Sequence, residues 1–271
     1  MKRFWKDVAV APEDGGWSVR LDERPLRTPA RAPLLAPTET LANAIADEWR
    51  SVDADVDPRA MPLTGLANAA IDRIAPERQA FAGGLATYAE ADLACYRSDW
   101  PPELVERQQR AWDPLLAWAR RRYDLDFATT SGLMHVPQPQ ATIERLSHAV
   151  GSLDAFRLAG LSSLVTIGGS LVAGLAVLDK AVTAEEACEA VSVDERWQLE
   201  QWGADAEAQT ALDNRHRHYA GHLHNATPAA RVAARRCFSC QTGIVTPVED
   251  MVTCFGGLSN KRFARRQTAV G

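Results

Sequence analysis

The chain has 271 residues and a mass of 29.6 kDa, and 46% of its residues are hydrophobic while 24% are charged. These values are typical of a soluble globular protein and exclude a disordered, collagen-like or coiled-coil chain. Residues 225–271 hold six Arg, one Lys, one Glu and one Asp, so this tail carries a charge of +5 and residues 1–224 carry −10. The net charge of −5 argues against a general nucleic-acid binder, and we expect no nucleic-acid partner.

The cysteines and the first residues indicate a cytoplasmic protein. Five cysteines are an odd number, and their spacing is not that of an extracellular disulfide framework. Residues 1–7 lack the apolar run of a secretory signal and the Ser/Arg-rich leader of a mitochondrial precursor. Residues 161–178 carry no charge, but a membrane span needs about 20 apolar residues, and Gly168-Gly169 interrupts this run of eighteen. We therefore predict two buried helices that meet at the glycines, and no membrane partner.

The beginning of the chain predicts a small β-sheet domain over residues 1–37. Strand-like segments at 4–10, 17–21 and 25–28 are separated by the turn signals Gly15-Gly16 and Asp22-Glu23. Such a small sheet must pack against another layer to be stable. Residues 125–137 contain two further strand-like segments, which we expect to join this sheet.

From Thr38 the apolar residues recur at helical spacing, and Thr38 is a good N-cap. The helices predicted after this first one cover 64–74, 77–94, 101–122, 140–150, 154–178, 183–190 and 192–220. Pro114 lies inside one of them and should kink it or split it. The fold class is therefore α+β, with the small N-terminal sheet packed against a larger helical domain over residues 38–224. The basic tail, 225–271, is of unknown order.

The sequence contains no motif of a phosphate-binding loop, a dinucleotide-binding turn or a nucleophile elbow, so we expect no cofactor. The run Asp53-x-Asp55-x-Asp57 fails as a calcium loop because Pro58 and Thr64 stand where glycine and glutamate are needed. A zinc site can be drawn from four histidines between 216 and 224 with Cys237, Cys240 and Cys254. Because a second C-x-x-C pair is missing, a polar helix end with reduced thiols is the better interpretation, and we predict no metal.

The segment 193–208 would present two apolar faces if it formed one helix. Val193, Trp197, Ala204 and Ala208 share one face, Leu199, Trp202 and Ala206 share the other, and Asp194, Gln198, Gln201 and Asp205 form a polar stripe between them. Such a helix is either packed between two layers or presents one face to a partner protein. Both interpretations stay open at this point.

Several short stretches together resemble one protein family. In chain order they are Arg3–Lys6, Leu21-Asp22 with Arg24–Pro29, Glu48-Trp49, Met61–Thr64 with Asn68 and Ala70–Arg73, Asp92-Leu93-x-Cys95-Tyr96-Arg97, Arg107-Gln108, Trp112–Leu116 with Trp118, Asp194-Glu195-x-Trp197-Gln198, and Trp202-Gly203-x-Asp205-x-Glu207-Ala208. They cover roughly residues 3–220 and resemble the F1-ATPase assembly chaperones of mitochondria and alphaproteobacteria, which act on the alpha subunit of ATP synthase. No counterpart is recognised beyond about residue 224.

The resemblance implies a small β domain followed by a helical domain, and an ATP-independent chaperone without catalytic residues. Its partner would be the unassembled alpha subunit, whose beta-facing surface it would shield, and we expect a monomer when the chaperone is free. The resemblance points to Asp194 and Glu195 as partner contacts and to Trp49 as structural support. We extend the predicted partner contacts to Trp197, Gln198, Trp202, Asp205 and Glu207 of the same segment, and the structural support to Arg97 and Trp112.

Two other hypotheses remain. A small-molecule or metal-dependent enzyme would need a deep pocket between the sheet and the helices, with converging polar groups. A general adaptor would use the basic tail to bind acidic partners, and deletion of 225–271 would then abolish binding.

Overall fold

A computed structural model describes residues 2–132, 134–203 and 206–221. The expectations for Asp205 and for the tail, including Cys237, Cys240 and Cys254, lie outside these residues. The strands and helices follow the predicted order, an N-terminal sheet and then a mostly helical remainder, which confirms the α+β class.

The N-terminal sheet is built around one central strand. Strands β1 (Val8–Glu13) and β2 (Gly16–Leu21) form an antiparallel hairpin, and β2 also pairs with β3 (Arg24–Pro25) and β4 (Leu35–Ala36). The turn of the hairpin requires Gly15, whose φ of +89° is unfavourable for residues with a side chain. The first strand begins later than predicted because the chain before it is held elsewhere.

Arg3 holds this earlier segment beside residues 52–54. Its backbone N–H donates to the carbonyl of Ala54 at 2.7 Å, and its guanidinium donates to the carbonyl of Val52 at 2.6 Å. Residues 4–6 therefore run alongside the end of the first helix rather than in the sheet.

Helix α1 (Glu39–Arg50) covers one face of the sheet. Thr38 caps it, since its side chain accepts a hydrogen bond from the N–H of Leu41 at 3.3 Å. Trp49 packs edge-to-face on Trp5 with ring centroids 5.2 Å apart. One core formed by the sheet, α1 and the next helix contains Trp5, Val19, Leu21, Leu34, Ala36, Leu41, Ala42, Ala44, Ile45, Ala46, Trp49, Val52, Met61, Leu63 and Ala67.

Glu48 joins α1 to α2 (Pro62–Ala69). Its carboxylate accepts hydrogen bonds from the N–H groups of Leu63 at 2.6 Å and Thr64 at 2.8 Å, at the start of α2. Burial raises the pKa of Glu48, and the hydrogen bonds from Thr64 and Leu63 oppose that shift. The core around the sheet thus also includes residues of α1 and α2, as far as Ala67.

The remaining helices form a second core. They are α3 (Arg78–Ala86), α4 (Pro102–Tyr123), α5 (Gln140–Gly151), α6 (Ala155–Gly168), α7 (Leu171–Leu178), α8 (Ala184–Val191), α9 (Val193–Trp202) and α10 (Ala206–Gly221), and a π-helical turn, Ala70–Ile74, continues α2. All eight residues of α7 are buried, so this helix is the centre of the second core. Phe156 packs against both cores and links them.

Two details of α4 and of the region after it differ from the prediction. Pro114 does not split α4, which continues over 22 residues because Trp112, Leu115 and Leu116 hold the segment around the proline in the core. Residues 125–137 do not return to the N-terminal sheet. Their strand β6 (Thr130–Ser131) pairs in parallel with β5 (Tyr96–Arg97), next to α4.

The predicted meeting of two buried helices at the glycines is confirmed. Helix α6 ends at Gly168, and Gly169 adopts a left-handed φ of +71° before Ser170 caps α7. Among the described residues, no helix is both long and apolar enough to cross a membrane.

The predicted single helix over 192–220 is wrong, because α9 ends at Trp202. Gly203 follows with a φ of +85°, and α10 begins at Ala206. Tyr219 anchors α10 to the second core. Its side chain is fully buried, and its hydroxyl donates to the carbonyl of Leu164 at 2.9 Å.

A substitution of Gly168 tests this anchor. A Cβ at Gly168 would overlap the hydroxyl oxygen of Tyr219, whereas a Cβ at Gly83 in α3 would meet nothing within 4 Å. We expect Gly168→Ala to destabilise the protein by about 1–3 kcal/mol, because the crowded tyrosine must move. Gly83→Ala should be neutral or stabilising by up to about 1 kcal/mol. Equal thermal unfolding midpoints for both variants would contradict this packing.

Candidate partner-binding surface

Helix α9 lies on the outside of the second core. It contacts α4, α8 and α10, yet none of its ten residues is buried. Trp197 packs beneath Arg107 of α4, with the guanidinium carbon 4.8 Å from the ring centroid. Trp202, at the other end of the helix, is 77% exposed. One of the two predicted apolar faces therefore packs on α4, and the tryptophan of the other face projects into solvent.

The two acidic residues in the first turn of α9 have partners inside the protein. The Nε2 of Gln108 donates to Oδ1 of Asp194 at 2.7 Å. Nη1 of Arg215 in α10 lies 2.9 Å from Oε1 of Glu195. Their negative charges also favour the N-terminal end of the helix. Both residues therefore help to position α9, whatever else they contact.

Gln108 connects α9 to the loop before α4. Its side chain is almost fully buried, and its Oε1 accepts from the N–H of Ser98 at 2.7 Å. Its Nε2 also lies 3.3 Å from the hydroxyl oxygen of Ser98. The side-chain amide of Gln108 thus fixes the loop over 98–101, helix α4 and the first turn of α9 relative to one another.

A charged groove of about 360 Å³ runs beside α9, between α4 and α8. Its charged lining is Arg107, Arg110, Glu186, Glu189, Arg196 and Glu200. Arg107 and Glu200 form an ion pair at 2.7 Å across it. The groove offers charges of both signs next to the exposed end of α9, which is typical of the polar rim of a protein interface.

Sequence reasoning missed two large exposed side chains, Trp100 and Met134, which are 76% and 79% exposed. Trp100 belongs to the loop that Gln108 binds. Met134 precedes His135, whose Nδ1 lies 2.8 Å from the hydroxyl oxygen of Tyr96 in β5. The available signal was the position of Trp100, directly before Pro101-Pro102 and outside every helical apolar face. We call α9 together with Trp100, whose loop Gln108 links to the first turn of α9, the α9 surface.

The other predicted contact residues are placed as follows. Gln198 is half-buried on α9. Asp205 and the side chain of Glu207 lie outside the described part of the chain.

The three residues expected to give structural support all make internal contacts. The Nε1 of Trp49 donates to the hydroxyl of Thr64 at 3.1 Å, and the Nε1 of Trp112 donates to the carbonyl of Ala190 at 2.7 Å. Arg97 pairs with Asp113 at 2.7 Å, and its guanidinium carbon lies 5.3 Å from the ring centroid of Trp112.

The described residues do not form the zinc site that the sequence analysis considered. His216 instead accepts a contact from Arg196, whose Nη2 lies 2.9 Å from its Nε2. Burial and the positive charge of Arg196 lower the pKa of His216, so the neutral ring is favoured. The part of the chain that the structure describes excludes the side chain of His218 and the residues His222 and His224. Within it, no group of three or more His, Cys, Asp or Glu residues could hold a metal.

The enzyme hypothesis expected a pocket between the sheet and the helices. A cleft of about 490 Å³ lies among α4, α5, α6 and α7. Its charged and titratable lining is Arg122, Glu144, Arg145, His148, Arg157 and Asp179. The charged groove beside α9 likewise lies among helices, away from the sheet.

The fold matches that of a known family of chaperones. Residues 2–120 match the family model described as ATP12 chaperone protein. The crystal structure of Atp12 from Paracoccus denitrificans is 44% identical, with a TM-score of 0.78, and the match covers 83% of this chain and 98% of that one. The chain therefore belongs to the ATP12 chaperone family.

Two further relatives agree with this assignment. The Atu1473 protein of Agrobacterium tumefaciens, put forward as a chaperone, is 38% identical with a TM-score of 0.78, over 83% of this chain and 84% of that one. The mitochondrial protein atp12 of Schizosaccharomyces pombe is 26% identical over 79% of this chain and 77% of its own length. These relatives are named for a chaperone family and not for an enzyme.

The role of Gln108 can be tested by Gln108→Leu. The leucine would leave the Ser98 N–H and the Asp194 carboxylate without this partner, and we expect a loss of about 1–3 kcal/mol of stability. Gln109→Leu is the matched control, because Gln109 is the exposed neighbour on the same helix. Hydrogen exchange should show faster opening of α9 in the Gln108 variant alone. Unchanged exchange of α9 in both variants would contradict the role assigned to this amide.

Proposed function

We propose that the protein is an ATP-independent assembly chaperone of the F1-ATPase that binds the unassembled alpha subunit. In this role it covers the surface of the alpha subunit that later contacts the beta subunit. The observation that carries the proposal is the α9 surface, on which Trp202 projects from a helix of a protein of the ATP12 chaperone family. The sequence also contains no phosphate-binding loop motif, which supports independence from ATP.

The physical requirements of such a chaperone favour the α9 surface. Binding energy at protein interfaces comes mainly from a few aromatic or arginine anchors surrounded by polar residues that exclude water. Trp202 and Trp100 can supply the anchors, while the charged groove supplies the polar rim. We propose as partner contacts Asp194, Glu195, Trp197, Gln198, Trp202, Asp205 and Glu207, and we add Trp100.

We further propose that the protein acts in the bacterial cytoplasm and is a monomer when free. The bacterial relatives from Paracoccus and Agrobacterium support the first point, although the fission-yeast relative is mitochondrial.

The direct test uses the full chain with a tag and purified alpha subunit. We expect a complex of one chaperone with one alpha subunit, formed equally well with and without ATP, which an excess of beta subunit dissolves. Size-exclusion chromatography with light scattering measures the mass of the complex before and after the beta subunit is added. A chaperone that is correctly folded by circular dichroism and yet leaves the alpha subunit unbound contradicts the proposal.

Trp202 is the first residue to change. We expect Trp202→Ala to weaken binding of the alpha subunit by at least about tenfold, because an exposed aromatic anchor is lost. Trp202→Phe should retain most of the affinity. Since the side chain is 77% exposed, both variants should melt at the temperature of the parent protein. Titration calorimetry gives the affinities, and equal affinities for alanine and phenylalanine would remove Trp202 from the interface.

A charge swap separates the two roles open to Glu195. Glu195→Arg combined with Arg215→Glu restores the ion pair between α9 and α10 in reversed orientation. We expect the double variant to regain the slow hydrogen exchange of α10 that each single variant loses, while its binding of the alpha subunit stays weak. If binding returns together with the exchange protection, Glu195 only positions α9.

A further inference from the structure

Strand β1 forms an outer edge of the N-terminal sheet. The central strand β2 pairs with β1 on one side and with β3 and β4 on the other. Within the described residues, β1 has no partner besides β2. Its first four residues, Val8 to Ala11, are all apolar, and no charged side chain interrupts them.

The register shows which backbone groups of β1 point away from the sheet. Residues opposite each other in an antiparallel pair alternate between hydrogen-bonded and non-hydrogen-bonded pairs. Asp7 and Asp22 form a hydrogen-bonded pair, with the N–H of Asp22 2.9 Å from the carbonyl of Asp7. From there the alternation assigns Ala9 and Ala11 to the ladder with β2, and it turns the N–H and C=O groups of Val8, Val10 and Pro12 outward.

The opposite side of β2 supports the same alternation independently. The partner of Val10 is Val19, and the carbonyl of Val19 accepts from the N–H of Leu26 at 2.8 Å, next to β3. Since Val19 directs this group away from β1, Val10 and Val19 form a non-hydrogen-bonded pair. The backbone of Val10 therefore faces the open edge.

Both ends of this edge are blocked, and its middle is open. At one end, Nη2 of Arg50 donates to the carbonyl of Val8 at 2.9 Å. At the other end, Pro12 has no N–H to offer, which is a common device against edge-to-edge association. Between them, the N–H groups of Val8 and Val10 and the carbonyls of Val10 and Pro12 form no backbone or side-chain hydrogen bond within the described part of the molecule. Water can bind these groups one by one, but an extended backbone offers donors and acceptors at the same spacing along the whole row.

We propose that β1 accepts an extended segment of the client subunit as an added β-strand, with an apolar side chain opposite Val10. The inference rests on the proposed function and adds a second contact region to it, on the sheet rather than on α9. A second copy of the chain is a poorer occupant, because a stable dimer needs about 1,000 Å² of buried surface and six strand residues supply much less. Where α1 adjoins this edge, it presents the ion pair of Arg50 with Asp47 and not apolar side chains that would enlarge a dimer interface.

Hydrogen exchange measured by NMR provides the test. In the complex of the full chain with purified alpha subunit, the outward N–H groups of Val8 and Val10 should become at least about tenfold more slowly exchanging. Those of Ala9 and Ala11 should change little, because β2 already binds them. This alternation is specific to strand addition. Unchanged exchange at Val8 and Val10 in a formed complex overturns the inference and leaves the proposed function standing.

Two variants at one position provide the matched comparison. Val10→Pro removes the outward N–H but no bond to β2, and Pro12 shows that this strand accommodates proline at an outward position. Val10→Ala shortens the side chain and keeps the N–H. We expect Val10→Pro to weaken binding of the alpha subunit about three- to tenfold and Val10→Ala by less than about twofold. Equal affinities for both variants contradict strand addition. If Val10→Pro does not fold, the exchange of Val8 and Val10 in the parent protein tests strand addition on its own.

A failure of the parent protein to bind the alpha subunit is a distinct outcome, because it contradicts the proposed function. The same exchange experiment is then made with reduced, carboxymethylated α-lactalbumin, a permanently unfolded chain. Protection of Val8 and Val10 by this probe supports β1 as an acceptor of extended segments, and their free exchange overturns it. A dimer of the free chain that protects the same amides would assign the edge to a second copy instead.

Discussion

The carboxylate of Asp92 is the interaction on which the helical core depends. It is fully buried, and it accepts hydrogen bonds from the N–H of Val172 at 2.9 Å, the hydroxyl of Ser170 at 2.8 Å and the N–H of Ala94 at 3.0 Å. Burial raises the pKa of this carboxyl, while these bonds oppose the shift. Because α7 is buried along its whole length, the free N–H groups at its start have no access to water. Asp92 provides the acceptors that allow so apolar a helix to begin inside the protein.

The surface around α9 depends on this core only indirectly, since polar contacts from its neighbours hold it in place. Gln108 of α4 binds Asp194, Arg215 of α10 binds Glu195, and Arg107 covers Trp197. A helix without any fully buried residue gains less from the hydrophobic effect than the core helices do, so it can be displaced at lower cost. An exposed element of this kind suits the proposed role, in which the alpha subunit must later be released.

Local signals explain what the sequence could predict, and long-range pairing explains what it could not. The cap at Thr38 and the paired glycines at 168–169 act within a few residues, and both were predicted correctly. The break at Gly203 was missed because one glycine within a helical pattern is often tolerated. The partner of Asp194 lies 86 residues away, and β6 pairs with a strand more than 30 residues earlier, so neither could be found from spacing. The exposure of Trp100 likewise depends on packing that no periodicity describes.

The burial of Tyr219 has a consequence for the order in which the protein folds during its synthesis on the ribosome. This side chain fills the notch at Gly168 and lies more than 50 residues after the helix that it seals. Helices α6 and α7 are therefore synthesised well before the residue that closes the core over them. During that interval the nascent chain exposes one of its most apolar stretches, and vectorial folding cannot finish until α10 has emerged. A chaperone built in this way passes through an aggregation-prone stage of its own before it can protect another chain.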